Sequence, residues 1–321
     1  MSYTLVTTAK NEGPYFLEWV AYHRWIGFDN ILVYQNDSND LTDEILKELD
    51  RIGAINYYYN RAGHGRHQVR AYKRASRKTA FQQAEWAMAL DMDEFLFIRA
   101  GDGKLRDLFA ALPPSDEVLI NWRRFGHSGL TEIEDALVTE RFQFAEHEDR
   151  VTTHLTPFKA LFRPSMFERC GIHQPYALDP PPDAIRVCNG SGLVEGTFDW
   201  HRFRCKDPNR RALAQINHYI TRDAASFVLK SDRGSAHQAD RDISRKYWKR
   251  RNFNDQRDDG LAQRADLITD RMAYLDAQSG GKLVQLRAES LDMHKSRFQT
   301  LLSKPEFRDL YEFCTRDKLA A

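Results

Sequence analysis

The 321-residue sequence is poor in cysteine and has no long apolar run. Its four cysteines, Cys170, Cys188, Cys205 and Cys314, are widely separated, and no Cys-x-x-Cys spacing occurs among them. This pattern argues against a structural zinc site, gives no sign of a disulfide framework and favours a reducing compartment. No apolar stretch approaches the roughly 20 residues that cross a bilayer, and the N-terminus lacks the charged start of a signal peptide. We therefore expect a cytoplasmic protein without a transmembrane segment.

An excess of charge of one sign is also missing, because the formal net charge is only +1. No overall electrostatic field therefore points to nucleic acid as a partner. Two phosphate-binding motifs are absent: no Gly-x-Gly-x-x-Gly follows the first apolar strand, and no Gly-x-x-x-x-Gly-Lys-Ser/Thr occurs. These absences count against a Rossmann dinucleotide site and a P-loop NTPase. The content of 42% hydrophobic and 12% aromatic residues is typical of a packed globular protein.

The most informative stretch that is present is Asp91-Met92-Asp93-Glu94-Phe95, which has apolar residues on both sides, at 86–90 and 96–98. A short apolar run of this kind predicts a buried strand. Asp91 and Asp93 would then share one face of the strand. Buried carboxylates need neutralisation, and hard oxygen ligands suit Mg²⁺ or Mn²⁺ with substrate phosphates filling the remaining positions. The alternative is a solvated acidic turn at a strand end, and Asp-x-Asp alone does not decide between them.

The first hundred residues alternate between predicted strands and helices. Apolar strands are expected at 4–8, 30–35 and 55–59, each followed by a helix, and the acidic strand comes fourth. This order predicts a mostly parallel α/β sheet with helices on both faces, whose ligands bind beyond the carboxyl ends of the strands. Polar residues that follow the strands would meet at that edge: Lys10, Asn11, Glu12, Asn36, Asp37, Arg61, His64, Asp91 and Asp93. Four such turns at one edge outline a nucleotide cleft.

Several ordered motifs resemble those of the glycosyltransferase family 2-like group, close to family 92. They are Lys10-Asn11-Glu12, the polar run 36–40, Asp91 to Phe95, Trp122-Arg123-Arg124-Phe125-Gly126-His127-Ser128-Gly129, the block 159–173, and Asn217-His218-Tyr219 with Phe227, Lys230, Arg233 and Gly234. The similarity covers roughly residues 3–235. It implies a GT-A-type, Rossmann-like fold and a transferase that moves a sugar from a nucleotide-diphosphate donor, expected to be a UDP-sugar, to a saccharide or another hydroxyl acceptor.

The resemblance also implies roles for individual residues. Those assigned to the nucleotide are Thr8, Asn11, Asp37, Gln68, Tyr72 and Asp91, and those assigned to a Mn²⁺ or Mg²⁺ ion are Asp91, Asp93 and His218. A bound cation would stabilise the leaving diphosphate electrostatically. For His218, a packed or capping histidine remains the alternative.

An inverting transfer needs a group that deprotonates the acceptor hydroxyl. Glu195 and Asp199 fall in the expected region, although neither lies in a diagnostic motif, and a retaining mechanism stays open. The proline- and glycine-rich segment 174–200 predicts an irregular loop over the cleft, with a lid as one interpretation.

Two basic segments have more than one interpretation. The segment 66–78 is mainly interpreted as a solvated helix face. One alternative places Arg66 to Arg70 near the diphosphate, and another is a patch for anionic lipid or nucleic acid, of which nucleic acid is the weakest. Residues 236–321 predict a helical extension packed on a GT-A domain at 1–235, with helices at 240–251, 261–276, 282–293 and 296–314. Its basic stretch 246–251 leaves self-association, or peripheral contact with the inner face of a membrane, as the alternative.

Two other functions remain open for the protein as a whole. One is a metal-dependent nucleotidyltransferase, and the other is a catalytically silent sugar- or nucleotide-binding module.

Overall fold

A mostly parallel sheet runs through the middle of the molecule in the computed structural model, which describes residues 2–61, 67–150, 156–201, 204–205, 207–234 and 243–316. The strands are β1 (Tyr3–Ala9), β2 (Asn30–Gln35), β3 (Asn56–Tyr59), β4 (Trp86–Ala89), β5 (Glu94–Ile98), β6 (Glu117–Arg124), β7 (Phe144–Ala145), β8 (Phe158–Phe162), β9 (Phe167–Arg169), β10 (Tyr176–Ala177), β11 (Val187–Asn189), β12 (Trp200–His201), β13 (Arg204–Cys205), β14 (Ala214–His218) and β15 (Gln256–Arg257). The helices are α1 (Gly13–Ile26), α2 (Thr42–Arg51), α3 (His67–Ala75), α4 (Thr79–Gln82), α5 (Leu105–Ala111), α6 (Val138–Arg141), α7 (Ala224–Arg233), α8 (Arg245–Arg251), α9 (Ala265–Gln278), α10 (Lys282–Leu302) and α11 (Pro305–Thr315).

The sheet has the strand order β3-β2-β1-β4-β8-β6-β14-β5, and β11 adds to β6. The first four positions are parallel neighbours, as are β14 and β11 beside β6, whereas β8 and β5 run antiparallel to their neighbours. Antiparallel β5 lies opposite β14, with Glu94 facing His218 across the ladder. The prediction of a mostly parallel α/β sheet flanked by helices is confirmed.

Successive side chains of the central strands enter two different cores. In β1, Leu5 packs in a core with α1, α2 and α9, whereas Val6 packs in a core with α3. Met88 and Ala89 divide in the same way in β4. Because neighbouring side chains of a strand point to opposite faces, a strand that is apolar throughout must be covered on both sides. This explains why the first strands read as continuous apolar runs.

The acidic stretch corrects one prediction about the fold. The chain does not continue as one strand from 86 to 98, because β4 ends at Ala89 and β5 begins at Glu94 in another position of the sheet. The Glu94 N–H donates to the Asp91 carbonyl at 3.0 Å, which closes a turn, and the Asp91 N–H donates to Glu94 Oε2 at 2.8 Å. Asp91 and Asp93 therefore lie in a turn between strands and do not share a strand face.

Helix boundaries also differ from prediction. The helix expected after the third strand, which carries the basic segment 66–78, is interrupted after Ala75 and continues only as the short α4. The two helices expected at 282–293 and 296–314 are instead the long α10 and α11, and their boundary lies just before Pro305. Proline lacks the N–H that a helix interior needs but suits a first helical turn, which explains the break at this point.

The C-terminal helices pack on the sheet half of the molecule. Leu261, Ile268, Leu275 and Leu283 belong to the same buried core as α1. α10 then passes on to α7 and α11, where a third core includes Trp248 and Phe298. The predicted boundary between 1–235 and 236–321 lies outside the described residues, as do His64 and Arg66. Within the described part of the chain, no helix combines the length and the apolar character that a membrane crossing requires.

Candidate active site

An open cavity of about 400 Å³ lies at the carboxyl edge of the sheet, where β1, β4 and β6 end. Its walls come from the ends of β1, β6 and β14, from α3, α7 and α8, and from the turn between β4 and β5. The lining residues used below are Thr8, Lys10, Glu12, Gln68, Asp91, Asp93, Trp122, His173, His218, Lys230, Arg233, Tyr247 and Arg251. The edge at which the cleft was expected is therefore the edge where the cavity lies.

Asp93 pairs with two side chains of the cavity wall, Lys230 and His218. Its Oδ2 lies 2.8 Å from Lys230 Nζ, and its Oδ1 lies 3.5 Å from His218 Nε2. Burial by itself would raise the pKa of Asp93, but the adjacent Lys230 ammonium holds this pKa well below its usual range. Burial lowers the pKa of His218 in spite of Asp93. A permanent carboxylate thus faces an imidazole that tends to stay neutral.

Two side chains hold the Asp91 carboxylate in place. Gln68 Nε2 donates to its Oδ1 at 2.8 Å, and Lys159 Nζ lies 3.1 Å from its Oδ2. Lys159 is almost fully buried and lies 3.2 Å from Glu94 Oε2 as well. Glu94 is completely buried, and this burial raises its pKa well above the ordinary value even though Lys159 acts in the opposite direction. Lys159 and Glu94 together fix the turn that carries Asp91 and Asp93.

Glu12 forms a second ion-pair cluster at the same edge. Its carboxylate pairs with Arg222 at 3.0 Å and with Arg233, and Arg233 Nη1 also donates to the Lys10 carbonyl at 2.7 Å. Burial would raise the pKa of Glu12, but the two guanidinium groups outweigh burial and lower it. Glu12 therefore anchors α7 to the loop after β1 and is a poor proton acceptor.

The structure brings some of the predicted nucleotide residues together and separates others. Thr8, Gln68 and Asp91 line the cavity, and Tyr72 is buried behind them, where its hydroxyl accepts from Gln68 Nε2 at 2.9 Å. Asn11 lines a neighbouring cavity of about 330 Å³ that shares Asp93, Lys230 and Arg233 with the first. Asp37 is exposed, lines a third cavity and accepts a hydrogen bond from the Tyr59 hydroxyl at 2.5 Å.

Neither predicted general base reaches the cavity. The Glu195 N–H donates to the carbonyl of Val187 in β11, and β11 pairs with the first residues of β6. The cavity lies near the other end of β6, at Trp122. Asp199 is exposed and is not among the lining residues. The sequence order suggested both residues as candidates but contained no information on how the chain around them pairs with β6.

The segment 174–200 is irregular with three short strands, as expected for a loop. None of its residues lines the cavity. Because β11 is tied to the start of β6, the middle of the segment lies at the end of β6 opposite the cavity, and the interpretation as a lid stays a prediction.

Sequence reasoning missed the roles of Lys159 and Glu94, and it did not predict that Trp122 contacts two histidine rings. Lys159 was identified only as part of a family-like block. The third carboxylate of the acidic stretch, Glu94, was the available signal, since a buried carboxylate requires a buried partner such as Lys159. The Trp122 ring contacts the rings of His218 and His173 at centroid distances of 4.3 and 5.3 Å and so fixes the imidazole wall of the cavity.

The donor set partly fits a divalent cation. Among the described residues, no three His, Cys, Asp or Glu side chains converge as a complete metal site. Asp93 Oδ1 and His218 Nε2 nevertheless lie 3.5 Å apart, close enough to bind one ion together. His218 Nδ1 is buried and has no hydrogen-bond partner in the described chain. A pair of protein ligands suits Mg²⁺ or Mn²⁺ if phosphate oxygens and water complete the coordination.

The family model of glycosyltransferase family 92 matches residues 8–194, more than half of the chain. The chain belongs to glycosyltransferase family 92. The match contains the turn with Asp91 and Asp93, together with Lys159 and Trp122, and stops before His218 and α7. The family resemblance that the sequence motifs indicated is therefore confirmed.

Curated family 92 proteins from plants match a shorter part of the chain. One from Ricinus communis is 28% identical over 146 residues, which cover 41% of this chain and 24% of that protein. One from Oryza sativa subsp. japonica is 28% identical over 148 residues, covering 43% and 24%. The matched region of this family 92 chain thus spans about a quarter of the length of these relatives.

Solved structures with detectable similarity to this family 92 chain include Staphylococcus aureus TarS 1–349 in complex with UDP-GlcNAc. It is 14% identical, with coverage of 96% of this chain and 77% of that chain and a TM-score of 0.37. HddC from Yersinia pseudotuberculosis is 10% identical, covers 55% of this chain and 83% of that chain, and has a TM-score of 0.32. At these scores the superpositions support no argument about the site.

Proposed function

We propose that this family 92 chain transfers a sugar from a nucleoside-diphosphate donor, with UDP as the nucleotide, to a hydroxyl group of a saccharide acceptor. The observation that carries the proposal is the position of Asp93 between Lys230 and His218 at the carboxyl edge of the sheet. Asp93 and His218 can bind a cation, and Lys230 beside them can bind an anion. A diphosphate with a bound divalent cation needs this combination of groups.

Lys230 and Arg233 are the groups that would receive the leaving diphosphate. Both belong to α7 and line the cavity, and Lys230 is also fixed by a 2.7 Å hydrogen bond to the Ile220 carbonyl. Arg233 is fixed by the Lys10 carbonyl and by Glu12. As the bond between the sugar and the phosphate breaks, negative charge grows on the diphosphate, and cations that are already oriented stabilise it without reorganisation.

Asp93 and His218 would hold Mn²⁺ or Mg²⁺, which when bound supplies Lewis-acid stabilisation of the diphosphate. Gln68 and Lys159 orient the Asp91 carboxylate toward the same space, where it can accept hydrogen bonds from the donor. Trp122 and His173 form the wall beyond His218 and exclude water from that side.

Thermal unfolding with UDP, in the presence and absence of MnCl₂, tests the proposal on wild type and on Asp93→Asn. We expect UDP to stabilise the wild type only with Mn²⁺, by about 2.7 kcal/mol at a hundredfold excess over Kd. Asp93→Asn should lose most of this stabilisation. Asp199→Asn is the matched control, because Asp199 is an exposed aspartate outside the cavity, and it should keep the full shift.

Equal stabilisation of wild type and Asp93→Asn would remove Asp93 from the metal site. Product analysis with two substrate mixtures then separates the reaction classes. A glycosyltransferase releases UDP from a UDP-sugar in the presence of a saccharide, a nucleotidyltransferase releases pyrophosphate from UTP in the presence of a sugar 1-phosphate, and a binding module releases neither. Release of pyrophosphate, or UDP binding without turnover over a broad donor and acceptor panel, would contradict the proposal.

A further inference from the structure

Helix α8 borders the active-site cavity and consists almost entirely of cations. Its seven residues are Arg-Lys-Tyr-Trp-Lys-Arg-Arg, with five positive charges and no acidic residue. Residues four apart lie on the same side of a helix, so the sequence divides into stripes. Tyr247 and Arg251 form the stripe that lines the cavity. Arg245 and Lys249 flank Phe313 of α11, at 5.3 and 5.4 Å from its ring.

The remaining stripe, Lys246 and Arg250, is exposed, and so are Arg245 and Lys249. Arg245 approaches Asp309 at 3.9 Å. Within the described part of the chain, Lys246, Lys249 and Arg250 have no carboxylate within salt-bridge distance. A surface that keeps several cations without counter-charges next to a cavity attracts anionic ligands toward that cavity.

The orientation of Trp248 decides against a membrane as the partner. An interfacial helix needs an apolar face that enters the lipid. Trp248 is fully buried, with its ring 4.8 Å from Phe227 and 5.2 Å from His127. Tyr247 lies on the cavity side. The exposed part of α8 is therefore cationic without an apolar component, which suits a hydrated polyanion better than a bilayer.

Trp248 also fixes α8 against α7, the helix that carries the proposed diphosphate-binding residues. Phe227, its packing partner, belongs to α7, which also carries Lys230 and Arg233. A chain lying along the exposed face of α8 would reach the cavity at Tyr247 and Arg251, and a tyrosine at that position can pack against a sugar ring. The cationic face is thus a fixed extension of the cavity.

We propose that α8 binds the acceptor and that the acceptor is a polyanionic saccharide, whose repeating carboxylate or phosphate groups pair with Lys246, Lys249 and Arg250. This assignment rests on the proposed function, since it names the class of acceptor that the same cavity uses. The negative groups further along the polymer would bind on α8, while the reacting hydroxyl enters past Tyr247.

Binding of a fluorescent oligogalacturonate, measured by anisotropy on the full chain, tests this inference, with its neutral methyl ester as the control ligand. We expect the acid form to bind more tightly than the ester, and the difference to shrink as ionic strength rises from about 0.01 M to about 1 M, because the screening length falls from about 30 Å to about 3 Å. The triple variant Lys246→Gln, Lys249→Gln and Arg250→Gln should bind the acid form about tenfold more weakly at low salt.

The matched control is Lys73→Gln, Arg77→Gln and Lys295→Gln, which removes the same charge from exposed positions that do not line the cavity. It should keep binding within about twofold of wild type. Equal losses in the two triple variants, or equal binding of acid and ester, would overturn the inference. Tighter α8-dependent binding to anionic phosphatidylglycerol vesicles or to RNA than to the saccharide would overturn it as well.

UDP stabilisation in the presence of Mn²⁺ is measured on the same proteins, to separate the two proposals. The α8 variant should keep it, because none of its three substituted residues lines the cavity. If UDP stabilises the wild type but saccharide binding does not depend on the α8 cations, the acceptor assignment alone is contradicted. Absence of UDP binding in wild type contradicts the proposed function.

Discussion

At the residue scale, the buried Lys159 stabilises the turn that carries Asp91 and Asp93. Its ammonium group lies between Asp91 and Glu94 with almost no exposure. We expect Lys159→Met to lower the free energy of unfolding by about 3 kcal/mol or more, because it leaves the buried Glu94 without its cation. Urea unfolding of the variant and of wild type measures this change.

The double variant Lys159→Met, Glu94→Gln supplies the control. Because it removes both buried charges, it should recover part of the loss in stability. A Lys159→Met variant as stable as wild type would show that Glu94 is neutral in the folded protein without any help from Lys159.

Glu117, at the start of β6, predicts a dependence of stability on pH. Burial, with a smaller contribution from Glu195, raises the pKa of Glu117 from 4.5 to about 7. The folded protein therefore binds this proton more tightly than the unfolded chain, so stability is lost as the pH rises from about 4.5 to about 7. Glu117→Gln should raise the free energy of unfolding by up to roughly 3 kcal/mol at alkaline pH and leave it nearly unchanged below the unfolded pKa.

Urea unfolding of Glu117→Gln at about pH 4 and about pH 8 checks this expectation. Glu195→Gln should have a smaller effect in the same direction, because it removes only the neighbouring charge. A stabilisation by Glu117→Gln that is equal at both pH values would contradict the titration of this group.

At the element scale, α10 fixes the loop that follows β2. Asp40 is buried, its carboxylate lies 2.7 Å from His294 Nε2, and its Oδ2 accepts from the Gly13 N–H at 3.1 Å. Ser290 donates to the Asp40 carbonyl. The start of α1, the loop and α10 thus meet at one point, which explains how a helix far along the chain supports the carboxyl edge.

Gly13→Ala tests this contact. A methyl group at Gly13 would collide with Ser290 Oγ and lie 2.9 Å from the Asp40 carbonyl oxygen. We expect a loss of about 1–3 kcal/mol in the free energy of unfolding, from overpacking. In the background Ser290→Ala, the same substitution should cost less, since one of the two colliding groups is gone. An equal cost in both backgrounds would contradict close packing of α10 on α1.

At the scale of the whole molecule, the C-terminal helices are part of the main core. Because Leu261, Ile268, Leu275 and Leu283 pack with α1, a chain truncated after residue 235 would expose a large apolar surface. We expect the truncated chain to aggregate or to lack a cooperative thermal transition, and the full chain to unfold in one transition. Calorimetry and circular dichroism check both. A soluble truncated chain with a cooperative transition would show an independent domain at 1–235.

The sequence predicted those features of the molecule that depend on local patterns, but not those that depend on long-range strand pairing. The apolar runs of β1 and β4 predicted strands covered on both faces, and the polar residues after them predicted the functional edge, because both are local patterns. Local patterns could not predict that the chain leaves one strand before Asp91 and begins another after Asp93, because the apolar residues on both sides look like a single strand. Only the pairing of β5 with β14, more than a hundred residues later, separates the two strands. The distance of Glu195 from the cavity depends likewise on the pairing of β11 with β6.

The ladder between β5 and β14 has one further consequence. Glu94 lies opposite His218, and the Asp93 carbonyl accepts the Tyr219 N–H at 2.8 Å. A slip of one residue between paired strands turns every side chain to the other face of the sheet. A single-residue insertion between 214 and 218 would therefore preserve most of the backbone hydrogen bonds but turn the His218 imidazole away from Asp93. Such a variant should still fold but should no longer bind the ligand.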